Sequence, residues 1–457
     1  MNGIIVLIVY TIIMLGVTMV FTKRTSTADE SFHVGDRRFG TLKASLCIGA
    51  TWIWAPALFV SAERAFLTGW PGVFWFLVPN VTCLIIFSAF AKRIRERMPR
   101  GITLSAYMGK HYKSSKVRAA YQVQLSMLSM FAAAVQLLAG GRMLNIITGL
   151  PFWSITVILA AIAFSYAQFS GIKASMTTGV LQMVIMIVTS VAFAIATIAT
   201  GTGLSDLIAG FSSASGQYTS LFNAAGIELF LGFGLPSTIG LLSGPFGDQS
   251  FWQRAFAIKQ DRVGRSFRLG ALLFAIVPIC MAIIGFVAAG SGFIPTDTGV
   301  VNLEFIMSIF PAWVLVPFMF MVISGLLSTV DSSLCSMASF TTDYGREKSA
   351  KWIMLGTLVL AILIANIPGI TITYLFLLYG TQRASTLLPT VMTLLGKKLT
   401  GKGVYYGIIA SMAIGLPVFA YGNIMGSAMH RTAGSLLTVL LSGAVAVLIS
   451  RRKGEAA

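Results

Sequence analysis

The sequence predicts an all-α membrane protein with about thirteen transmembrane helices. Hydrophobic residues make up 56% of the 457 residues, charged residues make up only 11%, and the mean hydropathy is +0.83. A soluble domain carries roughly 25% charged residues, so this chain has too few polar side chains to cover a globular surface in water. Two further observations support the prediction: apolar stretches of bilayer-spanning length recur along the chain, and most basic residues lie between them.

Thirteen apolar stretches have the roughly 20 residues that a transmembrane helix requires. They are residues 3–22, 42–66, 70–91, 119–147, 151–170, 176–200, 226–246, 268–290, 312–338, 352–367, 370–394, 403–421 and 433–450. The first stretch lacks a basic N-terminal flank and is followed by Lys23 and Arg24, so we expect a retained helix with the N-terminus outside. Thirteen crossings then place the C-terminal tail, RRKGEAA, inside.

The net charge of +18 follows this predicted topology. Of the 33 Lys and Arg residues, 29 fall in short segments between the apolar stretches. These segments alternate with loops that are poor in basic residues, which is the positive-inside pattern of membrane proteins. We therefore expect the lipid bilayer to surround the chain, and we expect no nucleic-acid partner.

Spans two to six and spans seven to eleven form two sets of five that start on opposite sides of the membrane. A structural repeat between the two sets would therefore be inverted. Each set begins with an interrupted stretch, at Gly49 and Pro56 in the first set and at Pro236 and Pro245 in the second. Gly/Pro-broken helices at matching positions of two halves indicate a binding site near the bilayer midplane.

The predicted spans divide the chain into five parts. They are an extra N-terminal helix with a cytoplasmic loop at 1–40, a first inverted repeat of core helices 1–5 at 41–200, an extracellular loop at 201–225, a second inverted repeat of core helices 6–10 at 226–396, and two additional C-terminal helices with a basic tail at 397–457.

One apolar stretch carries a concentration of polar side chains. Seven lie within thirteen positions: Ser324, Ser328, Thr329, Asp331, Ser332, Ser333 and Ser336. Gly325, Ser328 and Thr329 stand at i, i+3 and i+4, so they share one face of a helix. The Gly325 carbonyl and the two hydroxyls would present three neutral oxygens to a cation, and a hard ion such as Na⁺ prefers oxygen ligands.

The remaining ligands would be backbone carbonyls that a broken helix leaves unpaired. Such carbonyls occur at membrane depth only where the backbone is buried in protein or lines a cavity. The stretch GATWIWAPA, 49–57, offers a break because Pro56 cannot donate to the helix ladder. The alternative is that the hydroxyls only pack helices together and bond back to their own carbonyls.

Three stretches of this sequence resemble the sodium/solute symporter family, which includes transporters of glucose, proline, pantothenate, sialic acid and urea. They are FHVGDRRFGTLKASLCIGATWIWA at 32–55, GDQSFWQRAFAIK at 247–259 and GLLSTVDSSLCSMASFTTDY at 325–344. The thirteen-span layout is similar to the family's ten core helices with one helix before and two after. The resemblance implies a LeuT-type 5+5 inverted repeat, alternating access and sodium-driven inward uptake of a small polar or zwitterionic organic solute.

The resemblance also implies which residues bind sodium. Matched by motif, they are the carbonyls of three residues and the hydroxyls of two: Ala50, Ile53, Gly325, Ser328 and Thr329. This set agrees with the argument from helix faces and broken backbone. It makes Na⁺ the coupling ion and the only metal, and no organic cofactor is expected.

The sequence departs from the family pattern on the fifth core helix. Many members carry an Asp there, whereas Gly179 stands at that position in SGIKASMTTGVLQ, 170–182. We therefore expect one sodium ion per cycle. The ATWIWA stretch and the DQSFWQR stretch look more like the urea/polyamine-type branch than the sugar branch.

Aromatic and amide side chains near the predicted breaks are candidates for the solute site. They are Trp52, Trp54, Trp75, Gln136, Phe233 and Gln382. The candidates for gating or coupling are charged residues within spans or at their inner ends: Asp331, Arg383, Asp248 and Asp343. We expect Arg383 to pair with an acid, with carbonyls or with an anionic substrate. We expect Asp331 either to tune the charge of the cation site or to pair with a basic group.

The sequence predicts a transporter and contains no constellation that would support an enzyme. Proton coupling through Asp331 and a channel are alternatives on the same fold. A sensor module is another alternative, which we do not favour because only GEAA follows Lys453. We expect a multi-pass protein of the inner cell membrane that is a monomer or a weak oligomer.

Overall fold

The computed structural model describes residues 3–454, with side chains described through Arg451. Within this range the protein is all-α, apart from an isolated β-bridge between Phe39 and Ile258. Residues 1–2 and 455–457, the latter part of the predicted basic tail, lie outside the described residues. The α-helices are α1 Gly3–Phe21, α2 Glu30–Val34, α3 Thr41–Trp52, α4 Ala55–Leu58, α5 Val60–Arg97, α6 Leu104–His111, α7 Ser115–Thr148, α8 Phe152–Ser170, α9 Ile172–Ile198, α10 Gly203–Gly210, α11 Ala224–Leu229, α12 Leu235–Leu242, α13 Gln249–Ala257, α14 Val263–Gly290, α15 Val301–Ile309, α16 Leu315–Ser339, α17 Ala350–Ala365, α18 Ile372–Arg383, α19 Leu387–Leu394, α20 Gly401–Ala410, α21 Leu416–Ile424 and α22 Ala428–Gly454.

Eleven helical stretches within residues 3–454 are long and apolar enough to cross a membrane, and the chain is a multi-pass membrane protein. Two of the predicted spans are interrupted. Span 42–66 is divided between α3, α4 and the start of α5, and span 370–394 is divided between α18 and α19. Three points stay predictions: the total of thirteen spans, the division of the chain into five parts, and the side of the membrane on which each terminus lies.

The first interrupted span unwinds just before its proline. Helix α3 ends at Trp52, and Ile53 and Trp54 have extended backbones with ψ angles of 92° and 174°. Pro56 lies in the first turn of α4, where its missing N–H group leaves no helix hydrogen bond unmade. The chain then turns at Gly69, whose φ of +58° marks the boundary that the sequence predicted between spans two and three.

Predicted span 226–246, which carries Pro236 and Pro245, and the residues directly after it contain two irregular segments. A π-helical turn at Phe230–Gly234 joins α11 to α12, and residues 243–248 between α12 and α13 are not helical. Gly244, in this second segment, faces the first break, because a Cβ placed on it would overlap the Trp52 ring. The two interruptions that the sequence predicted therefore lie next to each other.

Helix α16 is the central element of the fold. Every residue from Met321 to Ser336 is buried, including all seven polar side chains of the predicted cation stretch. The helix packs against α3, α7, α8 and α9, so both its apolar and its polar faces contact protein. A helix that is enclosed on all sides needs hydrogen-bond partners for its polar groups. Some hydroxyls bond back to their own helix, as Ser333 does to the Thr329 carbonyl at 2.9 Å, and Asp331 accepts from Ser175 of α9 at 2.7 Å.

The predicted extracellular loop at 201–225 has structure of its own. It contains α10, which packs closely against α14, with Gly210 directly against the backbone at Phe286. The Trp70 amide donates to the Phe211 carbonyl at 2.9 Å, and the Ala214 amide donates to the Phe66 carbonyl at 2.9 Å. The segment thus covers the turn at Gly69 instead of extending into water.

Candidate cation and solute site

The two elements predicted to hold a cation lie against each other. The Thr329 hydroxyl of α16 donates to the backbone carbonyl of Thr51, in the last turn of α3, at 3.3 Å. Gly325 faces the break itself, since a Cβ placed on it would lie 3.4 Å from Ile53 Cγ2. The predicted oxygens of α16 are therefore beside the end of α3, which carries the carbonyls of Ala50 and Ile53.

The oxygens at this contact are uncharged and weakly engaged. A helix leaves the carbonyls of its last turn without intrahelical donors, and Ala50 lies in the last turn of α3. The Thr329 hydroxyl makes only long hydrogen bonds, of 3.3 and 3.4 Å, and the Ser328 hydroxyl makes none within the described residues. Neutral oxygens of this kind suit a hard monovalent cation such as Na⁺.

Asp331 lies near these oxygens in a buried network with an arginine. Its Oδ1 accepts hydrogen bonds from the hydroxyls of Ser175 at 2.7 Å and Ser332 at 3.2 Å. The same two hydroxyl oxygens accept from Arg254 Nη2 at 3.3 and 2.7 Å, respectively. Both charged residues are 0% exposed. The two serines therefore connect Asp331 to a basic group without a direct ion pair.

Trp52 and Trp54 stand at the first break and face the second. Their rings are stacked, with centroids 5.7 Å apart and 25° between the planes. Trp52 Nε1 donates to the Asn80 carbonyl at 3.1 Å, whereas Trp54 Nε1 is buried without a hydrogen-bond partner. An unpaired buried N–H group is costly, so Trp54 offers a donor that a ligand can satisfy.

Helix α18 completes an aromatic cluster around these rings. The Phe376 and Tyr379 rings lie 5.3 and 5.1 Å from the Trp54 ring. The Arg383 guanidinium carbon is close to the centroids of three rings: Trp52 at 5.5 Å, Trp54 at 5.0 Å and Tyr379 at 4.5 Å. Arg383, predicted as a gating or coupling residue, is thus placed among the candidate solute residues.

Gln136, a predicted solute residue, forms a hydrogen bond with the backbone of the broken helix. Its Oε1 accepts from the backbone N–H of Ala55 at 2.7 Å, immediately after the extended residues, and its Nε2 donates to the Ala132 carbonyl at 3.0 Å. The side chain therefore satisfies an N–H group at the start of α4 that no carbonyl of the interrupted helix reaches.

The other predicted solute residues are distributed around the cluster. Phe233 joins it through Phe376, with ring centroids 6.4 Å apart. Trp75 instead packs against Phe230 of the π-helical turn at 4.8 Å. Gln382 points to α7, where its amide donates to a backbone carbonyl at 2.8 Å, and its Oε1 is buried without a partner.

The two predicted inner-end acids have different partners. Asp248 caps α13 by accepting from the Ser250 amide at 2.8 Å. Asp343 accepts from the hydroxyls of Thr103 at 2.7 Å and Ser105 at 2.6 Å, which ties the end of α16 to α6. Asp343 therefore joins two elements that must separate if the protein opens on this side.

On α18, sequence reasoning named Gln382 and Arg383 but missed Phe376 and Tyr379. Phe376, Tyr379 and Arg383 stand at i, i+3 and i+7, so the helical period alone places them on one face. Arg254 was not among the candidate residues, although its side chain is fully buried and donates to the Ser332 hydroxyl of α16. The buried position follows from how α13 packs, which no local pattern encodes.

Solved structures of other transporters share this fold. A Na⁺-coupled sialic acid symporter matches with a TM-score of 0.77 over 97% of both chains, at 19% identity. The nucleobase-cation-symport-1 family transporter Mhp1 matches with a TM-score of 0.59 over 92% of this chain and 94% of its own, at 15% identity. MhsT, solved with L-phenylalanine, matches with a TM-score of 0.58 over 90% of this chain and 98% of its own, at 14% identity. The predicted LeuT-type all-α fold is confirmed.

Curated relatives are similar along most of this chain at low identity. The urea-proton symporter DUR3 of Oryza sativa subsp. japonica is 20% identical over 91% of this chain and 65% of its own length. A probable urea active transporter 1 of Schizosaccharomyces pombe is 23% identical over 57% of this chain and 41% of its own. This chain therefore covers less than two thirds of these two relatives. The sodium/pantothenate symporter of Escherichia coli is 24% identical over 98% of this chain and 96% of its own length.

A family profile matches most of this chain. Residues 32–411, which contain both interrupted spans, all of α16 and the aromatic cluster, match the profile described as Sodium:solute symporter family. The three motifs that carried the resemblance lie inside this range. The chain belongs to the Sodium:solute symporter family.

Proposed function

We propose that this protein is a secondary active transporter that couples the inward flow of Na⁺ to uptake of a small organic solute by alternating access. The contact between α16 and the broken end of α3 carries the proposal. There the Thr329 hydroxyl meets the Thr51 carbonyl, and Gly325 lies against Ile53. The cation ligands in this proposal are the carbonyls and hydroxyls predicted from the sequence: Ala50, Ile53, Gly325, Ser328 and Thr329.

The same geometry supports a coupling mechanism. Ile53, a proposed ion ligand, lies between Trp52 and Trp54, which form part of the aromatic cluster. An ion that holds the end of α3 against α16 therefore also fixes the positions of the two rings. A ligand shifts a conformational equilibrium only by its different affinity for the two states. Sodium would favour the state in which these rings are arranged for the solute.

We propose a stoichiometry of one sodium ion. Gly179 has no carboxylate to offer a second ion, and a Cβ placed on it would lie 3.1 Å from Cys47 Sγ. The charge of Asp331 is compensated within the protein by Arg254 through Ser175 and Ser332. One sodium ion supplies about 2.3 kcal/mol per 100 mV of membrane potential, in addition to its concentration gradient.

Uptake into proteoliposomes tests the cation site. The probes are the solutes of the named relatives and of the structural neighbour, namely pantothenate, urea and sialic acid, together with proline. We expect accumulation to require an inward sodium gradient. Ser328→Ala combined with Thr329→Ala removes two of the five ligands, so the sodium concentration for half-maximal uptake should rise about 100-fold. Thr357→Ala, which removes a buried hydroxyl bonded within α17, is the control. Unchanged sodium dependence of the double variant would refute the proposed site.

Proton coupling is a second candidate, supported by two observations. Asp331 is a fully buried acidic residue of α16, and one relative is named as a urea-proton symporter. In this case a pH gradient would drive accumulation in sodium-free buffer, and Asp331→Asn would abolish it. A channel would equilibrate the solute without accumulating it, and a sensor would bind the solute without moving it.

A further inference from the structure

Arg383 is a buried arginine within the aromatic cluster. Its exposed fraction is 2%, and it forms no ion pair within the described residues. Its Nε and Nη1 atoms are buried and have no hydrogen-bond partner. The side chain lies at the end of α18, where the helix continues into a 3₁₀ turn at Ala384–Thr386. Two donor groups of a charged side chain are thus left unused at the centre of the fold.

A second buried arginine, Arg254, has hydrogen-bond acceptors and a carboxylate nearby, and so provides a comparison. Arg254 donates to the carbonyl of Ser250 and to the hydroxyls of Ser175 and Ser332, and both hydroxyls also contact Asp331. Arg254 therefore has three acceptors and a carboxylate in its network. Arg383 instead lies beside three aromatic rings, whose faces attract a cation but do not accept its N–H groups as a carboxylate would.

Arg383 lies among the residues that the sequence predicted for the solute site. The guanidinium lies among the rings of Trp52, Trp54 and Tyr379, between the two interrupted helices. Its Nη1 lies close to the backbone of the second break, because a Cβ placed on Gly244 would lie 2.8 Å from this atom. The Trp54 indole N–H in the same cluster is also buried without a hydrogen-bond partner within the described residues. The unpaired groups of Arg383 and Trp54 are both donors.

We propose that the transported solute is an organic anion, a small carboxylate whose negative group binds Nε and Nη1 of Arg383. The guanidinium matches a carboxylate with two parallel donors, and the surrounding rings contact the apolar part of the solute. The assignment rests on the proposed transport function and names the substrate class of the same site. A cationic solute would meet an uncompensated positive charge, and a neutral one would leave that charge unpaired.

Thermal unfolding of the purified full-length protein tests the assignment with matched pairs of probes. Each pair consists of a carboxylate and its uncharged analogue: pantothenate and panthenol, lactate and lactamide, propionate and propionamide. Urea and putrescine are the neutral and cationic comparisons. We expect at least one carboxylate to raise the Tm of the wild type in the presence of sodium, whereas its uncharged analogue does not.

Arg383→Gln should weaken the binding of that carboxylate about 30-fold or more, and the rise in Tm caused by sodium alone should remain. Arg142→Gln, which removes an arginine paired with Asp297 near the outer surface, should leave carboxylate binding unchanged. Carboxylate binding that survives Arg383→Gln would overturn the assignment. Stabilisation of the wild type by urea or putrescine, with no response to any carboxylate, would also overturn it.

A measurement without solute separates this role from a structural one. Arg383→Met removes an unpaired buried charge, so its Tm without solute should equal or exceed that of the wild type. A fall of more than about 5 °C would mean that the guanidinium holds the fold together, which contradicts the assignment. The sodium-dependent rise in Tm reports on the cation site independently, so loss of one proposal leaves the other measurable.

Discussion

Asp331 and Arg254 should stabilise the fold as a coupled pair. Both side chains are fully buried, and the hydroxyls of Ser175 and Ser332 hydrogen-bond to both of them at distances between 2.7 and 3.3 Å. Asp331→Asn keeps the size of the side chain and one acceptor oxygen but removes the charge. The perturbation therefore isolates the electrostatic part of the network.

The expected loss of stability follows from these contacts. Two hydrogen bonds to a charged oxygen become bonds to a neutral one, at a cost of about 1 kcal/mol each. Arg254 also loses its only nearby counter-charge, and removing one partner of a buried charge pair costs about 3–5 kcal/mol in total. Because the serines lie between the two charges, we take the lower limit, about 3 kcal/mol. This corresponds to a fall in Tm of about 3 °C for a chain of 457 residues.

Thermal unfolding in detergent, at one fixed scan rate, measures this effect in Asp331→Asn, Arg254→Gln and the double variant. The double variant should be more stable than the sum of the two single losses predicts, by about 2 kcal/mol, because neither charge is then left alone. Asp36→Asn, which breaks the partly exposed 3.0 Å pair with Lys173, should cost less than about 1 kcal/mol. Additive losses in the double variant would show that the two buried charges do not interact.

Two further substitutions test how the backbone is arranged around the site. Gly171→Ala should destabilise the protein by more than Gly149→Ala in the same assay. Both glycines have a positive φ, of +57° and +69°, which Ala rarely adopts. Only at Gly171 would the new Cβ also overlap the Phe32 carbonyl. The backbone of Gly171, with a ψ of −130° against 3° at Gly149, is also less accessible to Ala, so equal losses would contradict the close approach to Phe32. Gln136→Ala should leave the buried Ala55 N–H without an acceptor and lower the free energy of unfolding by about 1–3 kcal/mol. The apparent affinity for sodium should also be weaker. An unchanged Tm would show that water or another group replaces the glutamine.

Much of the architecture could be predicted from hydropathy and helical period. The bilayer admits only segments whose backbone groups are satisfied internally, so apolar length locates helices reliably. The breaks near Pro56 and Pro236 were visible because proline and glycine act locally on the backbone. The helix α10 in the loop at 201–225 was missed, because a single turn-rich segment of eight helical residues has no hydropathy signal of its own.

The site was predictable only where its residues are close in sequence. Gly325, Ser328 and Thr329 share a helix face, so their grouping could be read directly. Gln136 was recognised as a polar residue at depth, but its bond to Ala55 depends on how α7 packs against the break. Packing brings together side chains from several helices. The helical period and the composition of one segment do not indicate which residues of other helices it will contact.

The sequence by itself determined that this chain crosses a bilayer many times, that two of its helices are broken, and that one central helix presents hydroxyls on one face. These features follow from local chemistry, namely apolar length, missing backbone donors and spacing along a helix. Only the tertiary structure decided that Arg383 lies unpaired among Trp52, Trp54 and Tyr379 while Arg254 is satisfied. Both residues are arginines in apolar stretches of the sequence. They differ in the groups that the folded helices place around the guanidinium: aromatic rings for Arg383, and hydroxyls and a carbonyl for Arg254.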